Sequence, residues 1–218
     1  MSAVSTGVLP VFADRVAARL EFDADGELGL GVSLALRRLG AFRTGGLLVV
    51  GDPCLIGPDI DGARAETLRT WDPTSRQRFF LPARAGRWEA YAVAVAHAFG
   101  AGPATDLIAV HEGAGKALKS RKRLELGWLP VESGTFAILD AERRDADLLA
   151  DPSEASSRCR LVTGGCVAPT FDGDGAYPVI AAVEKGKAVG VHVRFRPLPG
   201  LDDEEDDADG DGGDAGSA

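Results

Sequence analysis

The segment Trp88–Phe99 constrains the fold more than any other part of the chain. Tyr91, Val93, Val95, His97 and Phe99 alternate with Ala90, Ala92, Ala94, Ala96 and Ala98. A beat of two is the period of an extended chain, whose side chains point alternately to opposite faces; a helix would scatter both sets around its axis. Alanine favours helices, but the strict alternation argues for a strand. A face made only of alanine also lets a neighbouring layer approach closely.

The same period recurs elsewhere. Leu20–Phe22 and Leu28–Val32 flank Asp23-Ala24-Asp25-Gly26 and read as a hairpin. The stretch Val32–Leu39 fits a strand or a short helix. Leu47–Val50, between Gly45-Gly46 and Gly51-Asp52-Pro53, reads as a strand buried on both faces. Further strands are expected at Arg78–Leu81, Asp106–His111, Thr135–Leu139, Arg160–Thr163, Cys166–Ala168, Pro178–Val183 and Ala188–Phe195. Gly100–Pro103 reads as the turn before Asp106–His111, and Glu184-Lys185-Gly186-Lys187 as the hairpin joining the last two strands. In that last strand His192, Arg194 and Arg196 share a face, which predicts a sheet with one wet side. Short helices fit Ala63–Thr70 and Ala141–Ala150, the second capped by Asp140. Together these predict a mainly β fold, a sandwich or barrel of antiparallel hairpins with one or two short helices.

Thr44–Asp52 resembles Glu132–Asp140. Each has a glycine, a buried strand and an aspartate six residues after that glycine, and Gly134 stands 88 residues after Gly46. This pattern fits either an internal duplication with a pseudo-twofold β architecture or a chance similarity of nine residues.

Charge separates the chain into two parts. The formal net charge is −9, but nine of the 33 acids fall within 202–214, and the other 24 balance the 24 bases. The expected organisation is one mostly-β domain over 1–200 and a disordered acidic tail over 201–218. A neutral body argues against a generally basic nucleic-acid binder. No apolar run reaches the length of a membrane span, and no basic, then apolar, leader opens the chain. Cys54, Cys159 and Cys166 match no disulfide framework or zinc spacing. These features predict a cytoplasmic protein.

Few motifs carry chemistry, and each has a plain structural alternative. Gly51-Asp52-Pro53-Cys54 places a carboxylate, a rigid turn and a thiol together, making Asp52 and Cys54, with Asp140, the catalytic candidates. The alternative is an Asx turn in which Asp52 binds backbone amides and Cys54 packs. Phe171–Val179 contains Asp172 and Asp174 alternating with glycines, oxygen ligands suited to calcium or magnesium. It lacks the third acid and distal Glu of a calcium loop, so the first expectation is no cofactor. Tyr177, beside it, is a candidate contact residue; otherwise it packs on the sheet. Lys116, Lys119, Arg121, Lys122 and Arg123 form a basic run that suits phosphates, the acidic tail, or a solvated connector.

A strand ending in Gly51-Asp52-Pro53-Cys54, followed late by Gly173-Asp174-Gly175-Ala176-Tyr177-Pro178-Val179, resembles an uncharacterised family of bacterial and phage-associated domains. The resemblance covers about residues 44–57 and 164–196 and implies a compact β domain, with no activity attached. The reading that follows is a non-enzymatic binding or accessory protein, with a protein partner and no nucleic acid or membrane. A carboxylate-based, metal-dependent hydrolase and a phosphate- or nucleic-acid-binding module are the alternatives.

Overall fold

The computed structural model describes residues 33–69, 76–97, 100–114, 123–143, 148–149, 158–171 and 173–195. The expected hairpin at Leu20–Val32, the basic residues 116–122, Asp172 and the acidic segment 201–218 lie outside these residues.

Eleven strands are described: β1 Ser33–Thr44, β2 Leu47–Gly51, β3 Arg78–Pro82, β4 Gly86–His97, β5 Gly100–His111, β6 Arg123–Val131, β7 Thr135–Asp140, β8 Arg160–Val162, β9 Gly165–Pro169, β10 Gly175–Glu184 and β11 Lys187–Arg194. Two helices, α1 Pro53–Ile56 and α2 Ile60–Arg69, follow β2. A six-stranded sheet runs β1-β4-β5-β11-β10-β6, and a five-stranded sheet runs β3-β2-β7-β9-β8. Every strand pair within the sheets is antiparallel. The mainly β expectation holds, in its sandwich form.

The alternations in the sequence explain the packing. Trp88, Ala90 and Ala92 of β4, Leu107 and Ala109 of β5, and Val191 and Val193 of β11 turn inward from the large sheet. They meet Leu48 and Val50 of β2, Phe136 and Ile138 of β7, and Cys166 and Ala168 of β9. Burying each of the larger of these side chains is worth about 2 kcal/mol. The other face of the small sheet is also covered: Val49, Ala137, Leu139 and Val167 pack with Ile56 and Ile60 of the two helices. This explains why Leu47–Val50 of β2 and Phe136–Leu139 of β7 are apolar throughout.

Both sheets are arranged about one local twofold. In the small sheet the axis passes through Val50 paired with Ile138, and in the large sheet through Ile108 paired with His192. The operation exchanges β1 with β6, β2 with β7, β3 with β9, β4 with β10 and β5 with β11; β8 is an addition at the edge of the small sheet. Details follow it. Parallel bridges Ala83–Ala188 and Ala104–Thr170 join the sheets at equivalent corners. Ala83 donates its amide to Gly46 O at 2.8 Å, as Thr170 does to Gly134 O at 2.9 Å. Trp88 Nε1 donates to Arg84 O at 2.9 Å, and Tyr177 Oη to Gly173 O at 2.8 Å. The similar segments 44–52 and 132–140 thus hold the central strands of the small sheet.

Several expectations need correction. Residues 33–39 are strand, and β5 begins at Gly100, so Gly100–Pro103 is not a turn. Residues 141–143 form a bend after Asp140, not a helix; 148–149 are helical. β6, Arg123–Val131, lies where no strand was expected. The face of β11 expected to be wet is closed: His192 is buried against Asp106, and Arg194 is half-buried. Arg196 lies outside the described residues.

Candidate functional site

The two most suggestive carboxyl groups are committed to the backbone. Asp52 is fully buried. Its Oδ2 accepts from the amides of Glu132 and Ser133 at 2.7 and 2.8 Å. Its Oδ1 accepts from Cys54 N at 2.8 Å and Ser133 Oγ at 2.7 Å. Asp140, equally buried, accepts from Gly45 N at 2.6 Å, Glu142 N at 2.9 Å and Arg143 N at 2.6 Å. Each aspartate ends one central strand and fastens the loop that leads into the other. Neither carboxyl faces solvent, so the arrangement is that of amide caps rather than of an acid and a base.

The remaining candidates do not converge on them. Cys54, at the start of α1, is exposed rather than packed. Asp174 is exposed in the turn before β10. Tyr177 is buried in the core, edge-on to Phe195, and so presents no contact surface. Of the basic run, only the backbone of Arg123 is described, at the start of β6. Among the described residues no group of three His, Cys, Asp or Glu side chains is placed to hold a metal ion.

One carboxyl–imidazole pair escaped the sequence reading. His192 Nε2 lies 2.9 Å from Asp106 Oδ1, with both side chains buried, and Thr105 Oγ1 donates to Asp106 Oδ2 at 2.8 Å. The two residues stand on adjacent strands, β5 and β11, beside the twofold. Both side chains are almost wholly buried, so the pair does not open to solvent.

The open site lies at the other end of the large sheet, on edge strand β1. In register Phe42 faces Trp88 and Arg43 faces Arg87. The aromatic pair stacks inward with centroids 6.4 Å apart, which turns both arginines outward. Arg38 stands five residues from Arg43, and in a regular strand the two would point to opposite faces. A β-bulge between Arg38 and Gly40 inserts one residue and brings Arg38 to the face of Arg43. Gly40 makes the bulge feasible, with φ of +140° and Leu161 against the position a Cβ would take.

The result is an open groove of about 460 Å³ lined by Arg38, Gly40, Ala41, Phe42, Arg43 and Arg87. Arg38 donates to Glu89 Oε1 at 3.0 Å, and Tyr91 Oη donates to Glu89 Oε2 at 2.6 Å. These bonds, Tyr91's foremost, hold the Glu89 carboxyl below its usual range. Glu89 in turn raises Arg38 further. Burial, reinforced by Glu89, pushes the Tyr91 phenol up to about 12. Arg87 lies 3.8 Å from both Glu89 and Glu112, and Arg43 forms no ion pair among the described residues. Arg38 and Arg87 therefore lie against Glu89, and Arg87 lies equally near Glu112, while Arg43 has neither carboxylate as an ion-pair partner. The basic residues of 37–43 were visible in sequence, but the bulge that aligns them was not. Comparison of the chain with protein-family models, curated proteins and solved structures finds no match.

Proposed function

We propose that this chain is a non-catalytic binding module that holds an extended acidic polypeptide along β1. The observation that carries the reading is the placing of Arg43 directly opposite Arg87, with Arg38 brought to the same face by the bulge. Like charges in direct cross-strand register are unfavourable, and an anion between them relieves the repulsion. Among the described residues β1 pairs only with β4. Its other edge offers backbone donors and acceptors to an added strand, while the arginines select acidic side chains. The commitment of Asp52 and Asp140 to backbone amides supports binding over hydrolysis.

The test is fluorescence anisotropy with a labelled Asp/Glu-rich peptide and its Asn/Gln counterpart. It uses the full chain and the same chain with the nine acids of 202–214 changed to Asn or Gln. The acidic peptide binds and the neutral one does not; Arg43→Gln with Arg87→Gln weakens binding at least about tenfold, and added salt weakens it further. Absence of binding in both forms of the chain, or binding indifferent to Arg43 and Arg87, sinks the reading.

A further inference from the structure

We infer that the acidic segment 202–214 of this chain is itself an occupant of the arginine groove and competes there with an external partner. The inference rests on the proposed binding role of the groove and adds its regulation. Charge complementarity is its first support. The groove gathers Arg38, Arg43 and Arg87, whereas 202–214 holds nine acids and no base. The rest of the chain balances to zero, so this segment carries the whole excess of negative charge.

Position is the second support. The described chain ends at Phe195, whose amide donates to Thr105 O at 2.8 Å. Through the β5–β4 and β4–β1 registers this places Phe195 level with about Leu36 of β1, three strands away. From there to Arg43 is about 28 Å, with about 3.3 Å per residue along a strand and about 4.8 Å between strands. An extended chain advances at most about 3.5 Å per residue, so the nine residues from Arg196 to Glu204 cover that distance. Glu204 and the acids after it therefore reach the groove from the same molecule. Tethering raises their local concentration, so even weak pairing holds the segment in place.

The test keeps the full chain. A nitroxide is attached at Ser217→Cys in a Cys54→Ser/Cys159→Ser background, which leaves only the buried Cys166, and paramagnetic broadening of backbone amides is read by NMR. Broadening centred on residues 38–43 and 87, lost in Arg38→Gln/Arg43→Gln/Arg87→Gln and in high salt, supports the inference. Broadening elsewhere, including at 116–123, or none at all, overturns it. Peptide anisotropy separates the two proposals. Neutralising the nine acids strengthens external peptide binding at least about fivefold if the segment competes. Equal binding by the neutralised and native chains overturns competition while leaving the groove's binding role intact. Failure of both forms to bind removes that role.

Discussion

Asp52 and Asp140 show how a single residue type does opposite work depending on its surroundings. A carboxylate near a thiol suggests chemistry; the same carboxylate with three or four donors aimed at it is a fastener. Removing it leaves buried amides unpaired, at about 1–3 kcal/mol for each donor that finds no water. Asp52→Ala therefore lowers stability by on the order of 4 kcal/mol and Asp140→Ala by on the order of 3 kcal/mol, as read by urea unfolding. Asn in either position recovers part of the loss, since its carbonyl still accepts while its NH2 opposes an amide. If both alanine variants unfold at the same urea concentration as the native chain, the fastening role is wrong. Tyr91 supplies a residue-scale pH prediction. Its folded-state pKa is raised to about 12, above the unfolded value of about 10. A raised pKa means that the contribution is whole below the unfolded value and declines as pH rises toward the folded one. Stability falls between those two pH values in the native protein, and Tyr91→Phe removes that part of the decline. Phenolate absorbance checks it directly: a tyrosine transition near pH 12 disappears in the variant.

At the scale of the element, legibility followed how far a strand's environment differs between its two faces. β4 was plain because alanines fill one side and larger residues the other. The β10–β11 turn was plain because Gly186 suits the second of two successive positive φ values, 51° at Lys185 and 75° at Gly186. β1 and β6 were harder for one shared reason: each contains a bulge, at Leu39 and at Leu126, which breaks the alternation midway. Gly40 and Gly127 stand beside these bulges with φ of +140° and +118°. The two edges then diverge in chemistry, since β1 presents arginines and β6 exposes Leu124 and Trp128. Gly40→Ala tests the link between bulge and site. A Cβ there is strained at this φ and meets Leu161, so the variant loses about 2 kcal/mol of stability. Arg38 also moves away from Glu89, which raises the Glu89 pKa toward its ordinary range. Carboxyl-detected NMR titration follows that change; an unmoved Glu89 would mean that the bulge does not position Arg38.

The whole molecule is organised by its twofold more than by its chain order. β5 of the first half pairs with β11 of the second, and β2 with β7, so each sheet is completed across the axis. The Asp52 and Asp140 fasteners also cross it, each binding the loop that precedes the strand the other one ends. Only the central fragment of this symmetry was visible in sequence, around Gly46–Asp52 and Gly134–Asp140. Elsewhere the twofold-related positions keep shape but not identity: Trp88 corresponds to Tyr177, and Phe79 to Cys166. Packing requires an inward apolar side chain at such places and leaves its type free. The groove was less legible still, because it depends on a difference between the two halves at their edges. A folding prediction follows from the same organisation. Alone, the half containing β1 to β5 leaves β2 and β5 as uncovered edges and exposes the inward faces of Leu48, Val50, Leu107 and Ala109. Such a fragment lacks enough buried surface to offset its ordering entropy. Expressed as separate chains divided within 115–122, each half is therefore unfolded or self-associated. Mixed, the two restore the native far-ultraviolet circular dichroism and elute as a one-to-one complex. Two monomeric halves that each fold cooperatively would show that the pairing across the axis is dispensable.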